Sequence, residues 1–449
     1  MQPLTARRPV RFGFALILVA MAAMAQSTDQ KIEDLQTKVN QLEQKLAGAQ
    51  PAATSSPDAS QPKTGITTSA GPEGFVLRSA DGNFIWRFGL DFQVDNRAFP
   101  GESNVALPDG ILIRRARPTF SGTIYKYIDF YVRPDFGQGQ TVLYEAYAQL
   151  NYFKHVNLRF GKFKPPVGLE RLQSDDDTSF VERGLPTLLV PSRDIGFQLA
   201  GDIWTQRIGY QVGVFNGVPD NSLSDSAPSD HRDYAARLFF TPFFPEKKNP
   251  LRGLGFGLAA TGGNVDGIAL PSYKSFGQNT FITFASGVTS AGHRTRLAPQ
   301  MYYYLGPFGL LSEYTISEEG FQKGAVRRDI ALRSWQVGAS YILTGERKVF
   351  NTLTPRRPFD PHNRQWGAVE IAVRTAGFSV EKGLFNYGLA SSTNSARMAR
   401  EWIGGVNWYL NRMLRISLDY GNTNFEGGAT TGNRSSERAL ITRFQVNIS

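Results

Sequence analysis

The chain has 449 residues, 41% of them hydrophobic, and a formal net charge of +10. It contains no cysteine and only four scattered histidines, which excludes disulfides and thiol chemistry and leaves no histidine-rich metal cluster. Mean hydropathy is −0.28; no stretch after residue 50 is long and apolar enough for a transmembrane helix, so any membrane reading must rest on strand alternation.

Residues 1–25 begin with a basic segment (Arg7, Arg8, Arg11), pass through an apolar run at 12–20 and end in Ala23-Met24-Ala25. That layout predicts a secretory signal cleaved before Gln26, and its removal lowers the charge by three. In residues 26–47, Ile32, Leu35, Val39, Leu42 and Leu46 recur at alternating spacings of three and four. This is an a/d seam, predicting a short coiled-coil helix; a solvated amphipathic helix is the plainer alternative. Residues 48–73 are rich in Ala, Pro, Ser and Thr and predict a flexible tether. The main domain is expected over 74–449.

From Phe84 the period becomes two. Phe84, Trp86, Phe88, Leu90, Phe92 and Val94 point one way, and Arg87, Gly89, Asp91, Gln93 and Asp95 the other. The run is too long and aromatic for a half-buried soluble strand, and apolar-out, polar-in alternation is the signature of a membrane barrel. The same register recurs around Ile128, Phe130 and Val132, in Leu414, Ile416 and Leu418, and in the last strand at Leu440, Phe444, Val446 and Ile448. Connections sort into two classes. Short turns are expected near 125–127, 152–154, 204–206, 305–307 and 411–412, with two longer ones, 242–250 and 344–365, on the same side. Long loops are expected around 97–110, 136–141, 163–194, 217–232, 263–292, 319–328, 385–400 and 425–437. Seven turns and eight loops predict an all-β fold, a 16-stranded antiparallel transmembrane barrel with both ends on the short-turn, periplasmic side. The coiled coil then lies in the periplasm.

One stretch stands apart. Asn157-Leu158-Arg159-Phe160-Gly161-Lys162-Phe163 alternates as a strand and stops at Pro165-Pro166, and strand patterning resumes only at Ile195. A connection that long usually carries function, and 162–194 is expected to fold into the barrel and narrow it. Strand parity turns Arg87, Arg115, Arg117, Arg133, Arg159, Arg237, Arg294, Arg296, Arg374, Arg415 and Arg443 inward. It also turns Asp91, Asp95, Asp129, Asp135, Glu145, Glu313, Glu370 and Asp419 inward, a surplus of three positive charges. The loop adds Lys164, Arg171, Arg183 and Arg193. Guanidinium is permanently charged and weakly hydrated, so a line of arginines can pass an anion along without trapping it. The competing reading is that arginines and carboxylates pair across the lumen and stiffen the barrel. Asp175-Asp176-Asp177 reads as a solvated charge run before it reads as a divalent-cation site. No nucleophile elbow or phosphate loop is present, so no enzyme, cofactor or nucleic-acid partner is expected.

Several short segments together resemble the phosphate-selective porin O and P family. They are Arg114-Arg115-Ala116, Phe160-Gly161-Lys162-Phe163 leading to Gly168-Leu169-Glu170-Arg171, Gly213-Val214-Phe215-Asn216-Gly217, Leu343-Thr344-Gly345-Glu346 and Gly405-Val406-Asn407-Trp408-Tyr409. The resemblance implies a trimeric outer-membrane barrel in contact with lipid, with a narrow anion-selective constriction for phosphate. It assigns Arg114 and Arg115 to a central arginine pair and Arg171 to a basic loop position. The chain departs from the phosphate-specific members at Asp91, where they have an arginine; at Asp129, where they have a lysine; and at Tyr144, where they have an aspartate. Arg117 and Lys164 add charge where those members have tyrosines. The fifth loop, 268–278, has Lys274 as its one basic residue in place of an arginine ladder.

The expected function is therefore a passive outer-membrane porin for small inorganic anions, phosphate or polyphosphate. Its pathway is expected to run past Arg114, Arg115, Arg117, Arg133, Arg159, Lys164, Arg171, Arg183, Arg237 and Arg374. The alternatives are a weakly selective porin for organic anions or sugars, or a plugged barrel that serves as an outer-membrane tether.

Overall fold

A computed structural model describes residues 65–101 and 107–448, together with Lys38. The expected signal (1–25) and coiled coil (26–47, apart from Lys38) lie outside the described residues, as does 48–64 of the tether.

Sixteen antiparallel strands form the wall: β1 (Phe84–Ala98), β2 (Gly110–Ile124), β3 (Ile128–Asp135), β4 (Val142–Phe153), β5 (Val156–Phe163), β6 (Asp194–Ile203), β7 (Ile208–Phe215) and β8 (Asp233–Phe240), then β9 (Leu254–Ile268), β10 (Val288–Leu305), β11 (Phe308–Lys323), β12 (Val326–Ile342), β13 (Ala368–Val380), β14 (Ala396–Tyr409), β15 (Leu414–Ala429) and β16 (Glu437–Ile448). Each pairs with its neighbour in sequence, and β16 pairs back onto β1 from Leu440↔Ala98 to Ile448↔Leu90. Closure leaves no free edge, which a sheet in hydrocarbon requires because lipid cannot satisfy backbone N–H and C=O groups.

The alternation read from the sequence decides which way the wall faces. Trp86, Phe120, Phe160, Phe197, Leu258, Trp335, Val373, Trp402, Leu418 and Phe444 are exposed on the outside, while Asp91, Gln93, Asp95, Arg294, Arg374, Glu370 and Arg443 are buried in the lumen. This inverts a soluble protein, and the outer band is the surface that lipid covers. Tyr125, Tyr127, Tyr152, Trp204 and Trp366, all exposed, collect at the short-turn end as an interfacial girdle.

The structure corrects four boundaries. Residues 66–71, assigned to the tether, pair with 74–79 in a hairpin, and that hairpin in turn pairs with β1 from Phe75↔Phe88 to Arg78↔Ile85. There it covers the part of the β1 edge that β16 does not reach. The loop expected at 319–328 is a turn at 324–325, since Lys323 still pairs with Val326. The loops at 263–292 and 425–437 likewise lose residues to strands. Strands β9 to β12 run 15 to 18 residues, where roughly 9–11 cross the hydrocarbon. Above the membrane both faces of the wall are wet, so the excess carries no apolar alternation and reads as loop. Residues 273–274 and 280–282 form a small two-stranded sheet of their own, outside the wall, in keeping with their assignment to the fifth loop.

Candidate functional site

The 164–193 connection enters the lumen. After Pro165-Pro166 it makes a short α-helix, α1 (Leu169–Leu172), and a 3-10 turn at Leu185–Leu189, and its apolar residues Val167, Leu169, Leu185, Leu189 and Val190 are buried. It is tied to the far wall. Glu313 of β11 accepts from the Leu169 N–H at 2.6 Å, and Asp419 of β15 accepts from the Val181 N–H at 2.8 Å. The long turn 343–367 holds it from the short-turn side, where the Phe350 carbonyl accepts from Gln173 Nε2 at 2.7 Å and Lys348 Nζ donates to Ser179 Oγ at 2.9 Å. The fifth loop packs on it too: Leu185, Leu188 and Leu189 share an apolar core with Tyr273, Phe281, Ile282 and Phe378. One side of the lumen is thereby filled, and cation-lined open space remains in an outer and an inner chamber, beside a smaller pocket at Arg374.

The outer chamber, a cavity of about 250 Å3, is lined by Arg114, Arg115, Arg117, Arg171, Arg183 and Lys274 among others. Consecutive residues of a strand face opposite ways, so Arg114 and Arg115 could not both line it in a regular strand. A β-bulge resolves the conflict: Gln93 pairs with Arg115 but Val94 pairs with Ile113, which leaves Arg114 as the extra residue. Arg114 Nε meets Glu182 at 2.7 Å, and Glu182 also holds Arg97 and Arg443, each at 3.2 Å. Burial by itself would raise the Glu182 carboxyl, but Arg114, Arg443 and Arg115 around it hold it well below the usual carboxylate range. Arg117 pairs with Asp135 at 2.7 Å and with Asp175, which also receives Arg183 and lies 3.5 Å from Arg115. Tyr144 lies between two guanidiniums, Arg117 at 3.6 Å and Arg193 at 3.9 Å from its ring centre. Arg171 differs. It donates to the Thr187 carbonyl at 2.6 Å and to Asn221 Oδ1 at 2.7 Å, and among the described residues no carboxylate pairs with it. Burial pulls its pKa down to about 10, still well above neutrality.

The inner chamber, about 440 Å3, is lined by Arg159, Lys164 and Arg237 with Glu145. Glu145 is neutralised by Arg193 at 2.7 Å. Arg159 donates to Gln149 Oε1 at 2.9 and 2.6 Å, and Arg237 to Gln300 at 2.9 Å and Gln211 at 3.1 Å. Lys164 Nζ donates to the Gln173 carbonyl at 2.6 Å. These acceptors are neutral, so the charges of Arg159 and Arg237 remain uncancelled by ion pairing among the described residues, whereas burial and the neighbouring Arg193 push the Lys164 ammonium well below its usual pKa.

Two residues of the expected pathway lie elsewhere. Arg374 is tied to Glu170 (3.4 Å) and Glu401 (3.5 Å) and stacks on Phe180. Arg133 is buried in the wall, donating to Thr119 Oγ1 at 3.0 Å, and lines neither chamber. Arg443, turned inward by strand parity but left off the expected pathway, bonds the same Glu182 as Arg114. The aspartate run is not solvated: Asp175 is ion-paired, Asp176 accepts from Asn447, and Asp177 accepts from Thr352. Strand parity also missed inward carboxylates at Asp233, Glu319 and Glu401, all buried. Asp233 is taken up by Arg294 (2.8 Å) and Arg296 (3.1 Å). The surplus of positive charge is therefore local, concentrated in the two chambers.

A closed sixteen-stranded barrel, apolar outside, ionised within and narrowed by an inward loop, defines an outer-membrane porin. Comparison with known proteins agrees. The sequence profile of the family described as phosphate-selective porin O and P matches residues 86–448. Porin O of Pseudomonas aeruginosa is 24% identical over 419 residues, 83% of this chain and 90% of that one. Among solved structures, the outer-membrane channel DcaP of Acinetobacter baumannii is similar (TM-score 0.52, 8% identity, 82% of this chain and 99% of that one). So is an anion-selective porin from Comamonas acidovorans (TM-score 0.51, 10% identity, 81% and 99%). At such identities the structural likeness concerns the fold. The chain belongs to the phosphate-selective porin O and P family.

Proposed function

We propose that this chain is a passive channel whose two cationic chambers carry small inorganic anions, phosphate among them, across the outer membrane. The observation that carries the reading is the set of lining guanidiniums with no carboxylate partner among the described residues: Arg159, Arg171 and Arg237. Held by amide and carbonyl oxygens, they keep their geometry and their charge, and a mobile anion is the counterion they lack. The Arg114, Arg115, Arg117 and Arg183 group contributes differently, because its charge is already shared with Asp175 and Glu182. We further place the chain in a homotrimer with its N-terminal helix in the periplasm, a reading supported by the family and by both barrel ends lying at the short-turn side.

The test is titration of phosphate against the chloride current of purified protein in a planar bilayer. Phosphate is expected to suppress chloride conductance at concentrations well below that of chloride. Chloride conductance unaffected by phosphate would reduce the reading to a general anion channel, and absence of any conductance would favour a plugged tether.

A further inference from the structure

The inner chamber holds more than an inorganic anion requires. Beside Arg159 and Arg237 it is lined by Tyr302 and Phe350, whose rings pair at 5.4 Å. Two further rings, Tyr147 and Phe239, lie under the guanidiniums of Arg159 and Arg237, each 4.4 Å from the ring centre. Gln198, 3% exposed, lines the same space, and its buried amide oxygen has no hydrogen-bond partner. The volume, about 440 Å3, falls within the roughly 300–1,000 Å3 of small-molecule sites.

An inorganic oxyanion is best held by donors on every side, and aromatic faces present negative charge to it. An anion with a flat apolar body uses both halves of this chamber. Its carboxylate meets two guanidiniums whose charge is uncancelled, and its ring covers aromatic surface that otherwise faces water. Phe350 comes from the long turn 343–367, which the barrel wall does not need for closure. That turn brings an aromatic side chain to the cations while its Phe350 carbonyl anchors the constriction loop at Gln173.

We propose that the inner chamber is a binding site for aromatic carboxylates, with the carboxylate on Arg159 and Arg237 and the ring against Tyr302 and Phe350. The inference rests on the anion-channel reading and adds a ligand class to it.

Block of chloride current by benzoate and by acetate, measured on the full-length protein in planar bilayers, tests the site. The two share a head group and differ in the ring. Benzoate is expected to half-block at a concentration at least tenfold below acetate. Phe350→Ser, a change in a turn and outside the wall, should bring benzoate to the acetate level, and Arg237→Gln should weaken block by both. Heat-dependent gel migration verifies that each variant forms a barrel. Equal block of wild-type current by benzoate and acetate would overturn the site while leaving the anion channel standing. A tenfold difference that survives Phe350→Ser would also overturn it. Failure of the wild-type protein to prefer chloride over potassium would instead remove the reading on which the site rests.

Discussion

Arg115 and Arg159 carry the same charge and face the same lumen, yet they differ in what stands opposite. Arg115 lies among Gln93, Asp175 and two other arginines that share that aspartate, whereas Arg159 is held by the neutral Gln149 amide over the Tyr147 ring. An ion pair lowers the field that a permeating anion feels; an amide does not. Asp175 thus occupies, as a fixed part of the loop, the place an anion would take among Arg115, Arg117 and Arg183. Asp175→Asn should free that place. We expect phosphate to block chloride current at concentrations about tenfold lower, equivalent to about 1.4 kcal/mol of added affinity, as read by bilayer titration. Unchanged block would mean that the outer-chamber arginines are out of reach of anions. Strand parity could identify the arginines but not their partners, because Glu170, Asp175 and Glu182 come from a loop with no periodicity to read. The glutamines at 149, 211 and 300 were legible by the same parity; their role as neutral holders of guanidinium becomes visible only with distances.

At the scale of elements, the constriction loop is set by contacts from the wall, the fifth loop and the 343–367 turn. Only the first part of this was in the sequence: two prolines end β5, and some thirty residues pass before β6. Gly161 in the Phe160-Gly161-Lys162-Phe163 segment shows why that motif is specific. Its φ is +122°, and a Cβ there would collide with the Ala146 carbonyl oxygen, so a side chain is excluded. The Arg114 bulge was not legible, because a bulge leaves residue types unchanged and shifts only their pairing. The loop also carries a titrating group. Burial and the adjacent Asp176 push the Asp177 carboxyl up to about 6. Above that pH the group is charged and opposes anions; as pH falls through 6 it takes up a proton and the lumen loses one negative charge. Chloride-over-potassium preference should therefore rise between pH 7.5 and 5, and Asp177→Asn should flatten the rise. A preference that declines over that range in the wild-type protein would contradict this assignment.

For the whole molecule, strand number, the two ends and the turn–loop asymmetry were readable because lipid imposes a period of two wherever the wall crosses it. Where the wall leaves the membrane that constraint ends, and the predicted boundaries fail at the same places, around 319–328 and 425–437. The charge balance failed for a related reason: parity counts side chains that face inward, while selectivity depends on which of them remain unpaired. The central claim is that the unpaired cations of the inner chamber set ion preference. Reversal potential under a KCl gradient, compared between wild-type protein and Arg159→Gln/Arg237→Gln, tests it most directly. A clear chloride preference is expected in the wild type and should fall several-fold in the double variant, with the barrel still heat-modifiable on gels. An unchanged preference in the double variant, or a potassium preference in the wild type, would contradict it.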